Sequence, residues 1–272
     1  MIVGNAKHPS DRSKSRSSGV RALLAAGFAV LTLVTAHEAA AQTNLITNGS
    51  FAITGGSQSY QFGTYGGTTS IGESLPGWAS TSYAYVFTPT STVATGAYGN
   101  LSLYSKTTTP SNSFNNASPT GGNFIAEDSS YGTSPITQTV TGLVSGQSYS
   151  LSFNWAGAQQ TGFTGATSDL WQVSLGGGIS QSTPTVNDVS TGFTGWMHQT
   201  MTFVATSTSE QLSFLAYGTP GSSQPPFALL ANVSLVAAPE PAGIAIMLVG
   251  IAGMVGMSWR RRNSARGQQV TV

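Results

Sequence analysis

Apolar and polar residues alternate with period two along much of the second half of this chain. Tyr149, Leu151, Phe153 and Trp155 are interleaved with Ser150, Ser152 and Asn154, the pattern of a strand that buries one face. Trp171, Val173 and Leu175 repeat it until Gly176-Gly177-Gly178 breaks the run. Met197, Met201 and Phe203 share a phase ahead of the polar turn Thr206 to Ser209. Leu212, Phe214 and Ala216 follow, then Leu229, Ala231, Val233 and Leu235. Ile136 to Val140 leads to a turn at Val144-Ser145-Gly146-Gln147 and returns as the Tyr149 strand, which reads by its spacing as a hairpin. Tyr83 to Phe87, Leu101 to Tyr104 and Phe124 to Ala126 are shorter candidates among long Thr, Ser and Gly loops. No stretch between them carries a helical period. About ten short strands in one segment predict an all-β fold, a two-sheet β-sandwich of jelly-roll type.

The two ends depart from this pattern. Near the N-terminus Lys7, Arg12, Lys14, Arg16 and Arg21 precede the apolar run Ala22 to Thr35, and Ala39-Ala40-Ala41 stands before Gln42. Basic leader, short apolar core and a small-residue cleavage site at Ala39 and Ala41 are the three parts of a secretory signal peptide. The alternatives are an uncleaved N-terminal anchor and a start further in, near Val20. At the other end Ala242 to Trp259 is an apolar run of 18 residues without a charge. As a helix it would be ~27 Å long, close to the ~30 Å hydrocarbon core of a bilayer. Arg260-Arg261-Arg262 behind it is a stop-transfer cluster, and Pro239 and Pro241 around Glu240 mark where the helix can begin. The expected organisation is a signal peptide over 1–41, a β-sandwich ectodomain over 42–237 and a sorting segment over 238–262. Within the last, the transmembrane helix covers about 242–259, and 263–272 is a cytoplasmic tail.

Charge separates the segments. The whole chain carries a formal +1, but between 42 and 238 the single base Lys106 faces Glu73, Glu127, Asp128, Asp169, Asp188 and Glu210, a net −5. A region without arginine and with one lysine cannot neutralise a phosphate backbone, so nucleic acid is excluded as a partner. There is no cysteine; an exported domain without disulfides is held by packing and strand pairing alone.

Few groups offer catalysis. His198 is the only histidine between the two ends, and on the Met197 strand it falls on the outward phase beside Trp196. The six acids occupy no recognisable catalytic motif, and Glu127-Asp128 reads as a solvated pair in a Ser-rich loop. The expectation is a protein that is not an enzyme; a secreted hydrolase is the least favoured alternative, since a glycosidase needs two carboxyls flanking one bond. Aromatic rings beside polar side chains suit a saccharide better, the ring stacking on the sugar's apolar face. Trp78, Tyr83, Tyr85, Tyr98 and Tyr104 lie in loop-rich sequence and are the candidate glycan-binding residues. Trp155 and Trp171 read as core. Two near-copies, Thr161-Gly162-Phe163-Thr164-Gly165 and Thr191-Gly192-Phe193-Thr194-Gly195, read as similar loops rather than as a solenoid repeat.

The C-terminal order of Pro239-Glu240-Pro241, apolar helix and Arg260-Arg261-Arg262 resembles the PEP-CTERM sorting signal of Gram-negative bacteria. The resemblance implies recognition by an exosortase-type membrane protease after passage through the secretion translocon. It further implies cleavage near Pro239-Glu240-Pro241, and a membrane-anchored precursor that ends at the cell surface or in the biofilm matrix. A plain single-span anchor shares every feature except the processing. Asn44 to Phe51, Leu75-Pro76-Gly77-Trp78, Gly122-Asn123-Phe124, Ile136 to Leu143, Tyr149 to Phe153 and Pro226 to Leu235 resemble, in that order, the galactose-binding-like jelly rolls of carbohydrate-binding modules. That resemblance implies a sandwich with a structural calcium between first and last strands. The pattern's two acids are replaced here by Ala52 and Ala231, so no cofactor and no metal are expected. The function expected is a non-catalytic surface or matrix protein that contacts glycan, possible partners including extracellular polysaccharide; a purely structural exopolysaccharide-associated protein is the alternative.

Overall fold

The computed structural model describes residues 42–67, 73–220 and 224–239. The expected signal segment with Ala39 and Ala41 lies outside the described residues. So do Glu240, Pro241, the span 242–259, Arg260, Arg261, Arg262 and the tail. By internal contacts the chain divides after Gln42, and all the strands belong to the unit that begins at Thr43. Among the described residues no helix is long and apolar enough to cross a membrane.

Every regular element described is a strand. In chain order they are β1 (Tyr60–Gln61), β2 (Ala84–Phe87), β3 (Phe124–Asp128), β4 (Ile136–Thr141), β5 (Ser148–Gln159) and β6 (Thr167–Leu175). Then come β7 (Gln181–Ser182), β8 (Val186–Asp188), β9 (Met197–Val204), β10 (Ser209–Thr219) and β11 (Pro226–Ala237). One sheet has the order β1-β2-β3-β11-β5-β9, and the other β4-β10-β6-β7 with β8 also on β6. All pairings between these strands are antiparallel. The inward side chains of the two sheets, among them Leu151, Phe153, Trp155, Trp171, Val173, Phe214 and Leu235, form one core. The all-β two-sheet class is as the alternation predicts.

A second apolar layer lies on the outer face of the six-stranded sheet. Tyr85, Phe87, Phe124, Ala126, Ala156, Ala158, Phe227 and Leu229 project there and are covered by Ala94, Leu101, Leu103 and Phe114 of the long β2–β3 connection. Tyr85, Phe87, Phe114, Phe124 and Phe227 are fully enclosed, each burial contributing roughly 1.5–3 kcal/mol. Alternation therefore ends where both faces are covered: β2 and β3 are buried at every position, and β5 from Trp155 onward. Small Ala126, Ala156 and Ala158 leave the space that the covering loop fills.

Three expectations are corrected by this architecture. The turn at Val144 to Gln147 does not close a hairpin: β4 pairs with β10 in one sheet while β5 pairs with β11 and β9 in the other. Two strands facing one core across a sandwich show the same alternation as two neighbours in one sheet, and spacing alone does not separate them. Leu229 and Ala231 do not share a face with Val233 and Leu235. The register of β11 shifts between Ala231 and Ser234, with Asn232 in the left-handed region at φ 54°; a bulge turns the strand over. So Leu229 and Ala231 face the outer layer, and Val233 and Leu235 face the core. Finally, Glu127 and Asp128 are not in a solvated loop. They end β3 at 0% and 2% exposure, Glu127 opposite core-facing Ala84 and Asp128 on the other face of the strand.

Candidate functional site

Strand alternation sends Tyr83, Tyr85 and Phe87 to the outer face of the sheet and Ala84 and Val86 to the core. Across the ladder Tyr85 lies opposite Ala126 and Ala84 opposite Glu127, and the Asp128 amide continues the pairing by donating to the Tyr83 carbonyl at 3.2 Å. Asp128 is thereby placed beside Tyr83, while Glu127, one residue earlier, faces the opposite side. The Asp128 carboxyl then organises the loop that follows. Its Oδ1 accepts from the amides of Ser130 at 2.9 Å and Tyr131 at 3.0 Å and from the Ser130 hydroxyl at 3.2 Å.

Five tyrosines converge here. Tyr83 sits on Tyr85 at 4.9 Å between ring centroids, and Tyr65 meets Tyr83, Tyr98 and Tyr131 at 6.4, 6.4 and 5.2 Å. Tyr83 also meets Tyr98 at 6.5 Å and Tyr131 at 6.1 Å. Two glycines permit the packing. A Cβ at Gly66 would lie 2.0 Å from the Tyr98 ring and one at Gly132 2.8 Å from the Tyr65 ring, and both residues have positive φ, 77° and 59°. Buried Gln61 ties two of the loops together: its amide donates to Tyr65 O at 2.7 Å and accepts from Ala97 N at 3.0 Å.

Above this cluster opens a pocket of about 220 Å³ lined by Tyr83, Tyr98, Asp128, Tyr131, Gln160 and Pro225. Tyr98 is 65% and Tyr131 43% exposed, so each presents ring surface to solvent. Burial pushes the Asp128 carboxyl up to about 6, the Ser130 and Tyr131 amides and the Ser130 hydroxyl holding it from going further. It remains mostly ionised at neutral pH.

Of the five candidate aromatics, the structure brings Tyr83 and Tyr98 to the pocket and sets Tyr85 beneath Tyr83, fully buried. Trp78 stands elsewhere, in the core against Phe51 at 5.1 Å and Phe214 at 6.3 Å, its Nε1 donating to Asn48 O at 3.0 Å. Tyr104 is buried too, its hydroxyl accepting from the Gly162 amide at 3.3 Å. Neither offers a free ring face. Tyr65, Tyr131 and Gln160 are not singled out by the sequence, and Asp128 reads there as a solvated acid. A signal for the tyrosines exists: Tyr65-Gly66, Tyr98-Gly99 and Tyr131-Gly132 are three loop Tyr-Gly pairs, each glycine with positive φ.

Other sequence candidates fall away from the pocket. His198 is exposed on β9, and among the described residues its ring meets Thr200, at 3.4 Å. The two similar loops come together around Gln159, whose amide donates to Gly165 O and Val189 O, both at 3.0 Å, and accepts from Thr191 N at 2.6 Å. Asp169 and Asp188 are buried; burial raises Asp169 well above the carboxylate range, while the Ser129 hydroxyl donates to it. Burial pushes Asp188 up to about 7.

The calcium implied for jelly rolls of this type does not fit the residues at the matching place. Segment Asn44 to Phe51 is a clamped turn rather than a strand, held to β11 by Leu45 N to Leu235 O at 2.8 Å and Val233 N to Gly49 O at 2.9 Å. Ala52 and Ala231 supply no side-chain oxygen where calcium takes six to eight. Donors point at the nearby carbonyls instead: Asn48 Nδ2 at Ala52 O, 2.9 Å, and at Pro76 O, 3.1 Å. Among the described residues no group of three or more His, Cys, Asp or Glu could hold a metal ion.

No protein-family model matches this chain, and no curated protein matches it. Solved structures with a similar arrangement of strands include one described as TmCBM61 in complex with β-1,4-galactotriose, at 17% identity over 43% of this chain and 72% of that chain, TM-score 0.29. Another is the N-terminal cellulose-binding domain from Cellulomonas fimi β-1,4-glucanase C, at 14% identity over 44% of this chain and 80% of that one, TM-score 0.25. A third is the arabinose-bound α-L-arabinofuranosidase MgGH51, at 17% identity over 72% of this chain but 26% of that one, TM-score 0.35.

Proposed function

We propose that the sandwich is a non-catalytic glycan-contacting domain whose saccharide stacks in the tyrosine pocket. The observation that carries this is the pocket itself: exposed Tyr98 and Tyr131 flank Tyr83, with the Asp128 carboxyl and the Gln160 amide at its wall. Rings take the apolar face of a pyranose, and a carboxylate and an amide take its hydroxyls. At about 220 Å³ it is smaller than pockets for drug-sized ligands, about 300–1,000 Å³, and suits one sugar ring with the rest of a chain outside. Among the described residues Asp128 is the only carboxyl lining it, which supports binding over hydrolysis, since hydrolysis takes two.

The purely structural alternative has one observation in its favour: the tyrosines contact one another edge to face, as a packing cluster does. A glycan array on the purified protein separates the two. Loss of binding in Tyr98→Ala and Tyr131→Ala supports the pocket; no binding by the unaltered protein removes it.

The same proposal covers export and sorting. A signal peptide over 1–41 cleaved after Ala41, and the 238–262 segment read by an exosortase-type protease, would take the domain to the cell surface or biofilm matrix of a Gram-negative bacterium, without a metal. Intact mass of the secreted form tests both ends at once.

A further inference from the structure

Resting on the saccharide reading, we propose that the pocket selects an amino sugar, a pyranose bearing a free ammonium group, and discriminates against uronates and other anionic sugars. Four observations converge on this. Three tyrosine rings line it, and the face of such a ring carries the negative lobe of its quadrupole, which attracts a cation placed over it. Tyr98 and Tyr131 are the two most exposed of these rings, and Tyr83 bridges them at 6.5 and 6.1 Å.

Among the described residues, the only charged group in the lining is the Asp128 carboxylate. It is 2% exposed and held by three hydrogen bonds, all to Oδ1. Oδ2 accepts none among the described residues, so one oxygen of a fixed carboxylate is left for a donor in the pocket. An ammonium offers three N–H donors and a full charge, and a charge-assisted bond to carboxylate is stronger than the bond a sugar hydroxyl makes.

The surroundings supply nothing for an anion. Lys106 is the one base between residues 42 and 238, and it does not line the pocket. A uronate carboxylate placed there would face Asp128 with no counter-ion, and a like charge at that range repels. N-acetylation of the sugar removes both the charge and two of its donors. The pocket should therefore read the acetylation state of an amino sugar.

The test is calorimetric titration of the full-length protein at pH 7 with four short oligosaccharides matched in length: glucosamine, N-acetylglucosamine, glucose and glucuronate oligomers. The expected result is at least tenfold tighter binding of the glucosamine oligomer than of the other three, with glucuronate weakest. Asp128→Asn keeps an oxygen acceptor for the Ser130 and Tyr131 amides and removes the charge. It should shrink the preference below about threefold. Equal affinity for the glucosamine and N-acetylglucosamine oligomers, with binding still lost in Tyr98→Ala, would overturn the selectivity and leave the glycan reading standing. No binding to any of the four overturns the selectivity, and the glycan array then decides whether the pocket takes a saccharide at all. The ligand series reads the unaltered protein, so the proposal stays testable even if Asp128→Asn fails to fold.

Discussion

The Asp128 amide donates to the Tyr83 carbonyl at 3.2 Å, and this single backbone bond sets a charged group beside an aromatic ring at the end of two strands. Because Asp128 lies on the Tyr83 side, its strand neighbour Glu127 is turned away, into a buried site beside the Ser82 hydroxyl and the Ser134 amide. Adjacent acids thus acquire different roles from the pleat alone.

Selectivity for a cationic sugar should depend on pH. The Asp128 carboxyl, pushed up to about 6, is charged above that value and neutral below it. Around it lie Glu127 and Asp169, both raised by burial, and the phenols of Tyr85 and Tyr131. The preference for a glucosamine oligomer over a glucose oligomer should fall as pH drops from 7 to 5. Titrations at the two pH values measure it; a preference that grows on acidification contradicts the role given to Asp128.

Stability should run the other way. Burial raises Glu127 and Asp169 well above the carboxylate range and Asp188 to about 7, against unfolded values near 4. A carboxyl with a raised folded pKa gives stability that is fully present below the unfolded value and is lost as pH climbs toward the folded one. For Asp188 that window is about 4 to 7. Glu210 opposes this: burial pushes it up, but the Thr206 hydroxyl and the Thr206 and Ser207 amides more than offset that, so its pKa is lowered. Its contribution is present above its unfolded pKa and is lost only as pH falls through the lowered value. Between pH 5 and 8 the raised groups dominate. Tm should decline over that range, and Asp169→Asn should flatten the decline; a Tm that climbs from pH 5 to 8 would refute it.

Gln61 should act on the pocket from below. Its amide holds the Tyr65 loop and the Tyr98 loop through Tyr65 O and Ala97 N. Gln61→Ala removes both bonds to these part-buried backbone groups, at about 0.5–1.5 kcal/mol each. Chemical denaturation should show that loss, and saccharide binding should weaken although Gln61 does not line the pocket.

Trp78 and Tyr98 should separate cleanly. Trp78 is a core residue packed on Phe51 and Phe214, so Trp78→Ala should cost about 3–5 kcal/mol without directly removing a pocket contact. Tyr98 is 65% exposed. Tyr98→Ala should leave stability within about 0.5 kcal/mol and reduce binding. Paired melting and binding curves of the two variants check the contrast.

Much of the fold was legible because β5, β6, β9 and β10 have one face to solvent for most of their length, and period-two alternation reports just that. Legibility failed where both faces are covered. In β3 the run Phe124 to Asp128 has no exposed position, so Glu127-Asp128 carried no burial signal and was assigned to a loop. In β11 the bulge at Asn232 exchanged the faces without interrupting the apolar run. The site was half visible: Tyr83 and Tyr98 stood out as loop aromatics, but so did Trp78 and Tyr104, which have the same local composition and opposite burial. Asp128 joined the site through a strand register that spans the long β2–β3 connection, a relationship no local pattern encodes.

The central claim is that Tyr83, Tyr98 and Tyr131 hold a saccharide ring. Aromatic proton–carbon NMR spectra of the protein during titration with a glucosamine oligomer test it most directly. Saturable upfield shifts at those three tyrosines, with Tyr149 and Tyr217 unmoved, are the predicted result. Shifts confined to other residues, or none at millimolar ligand, would contradict it.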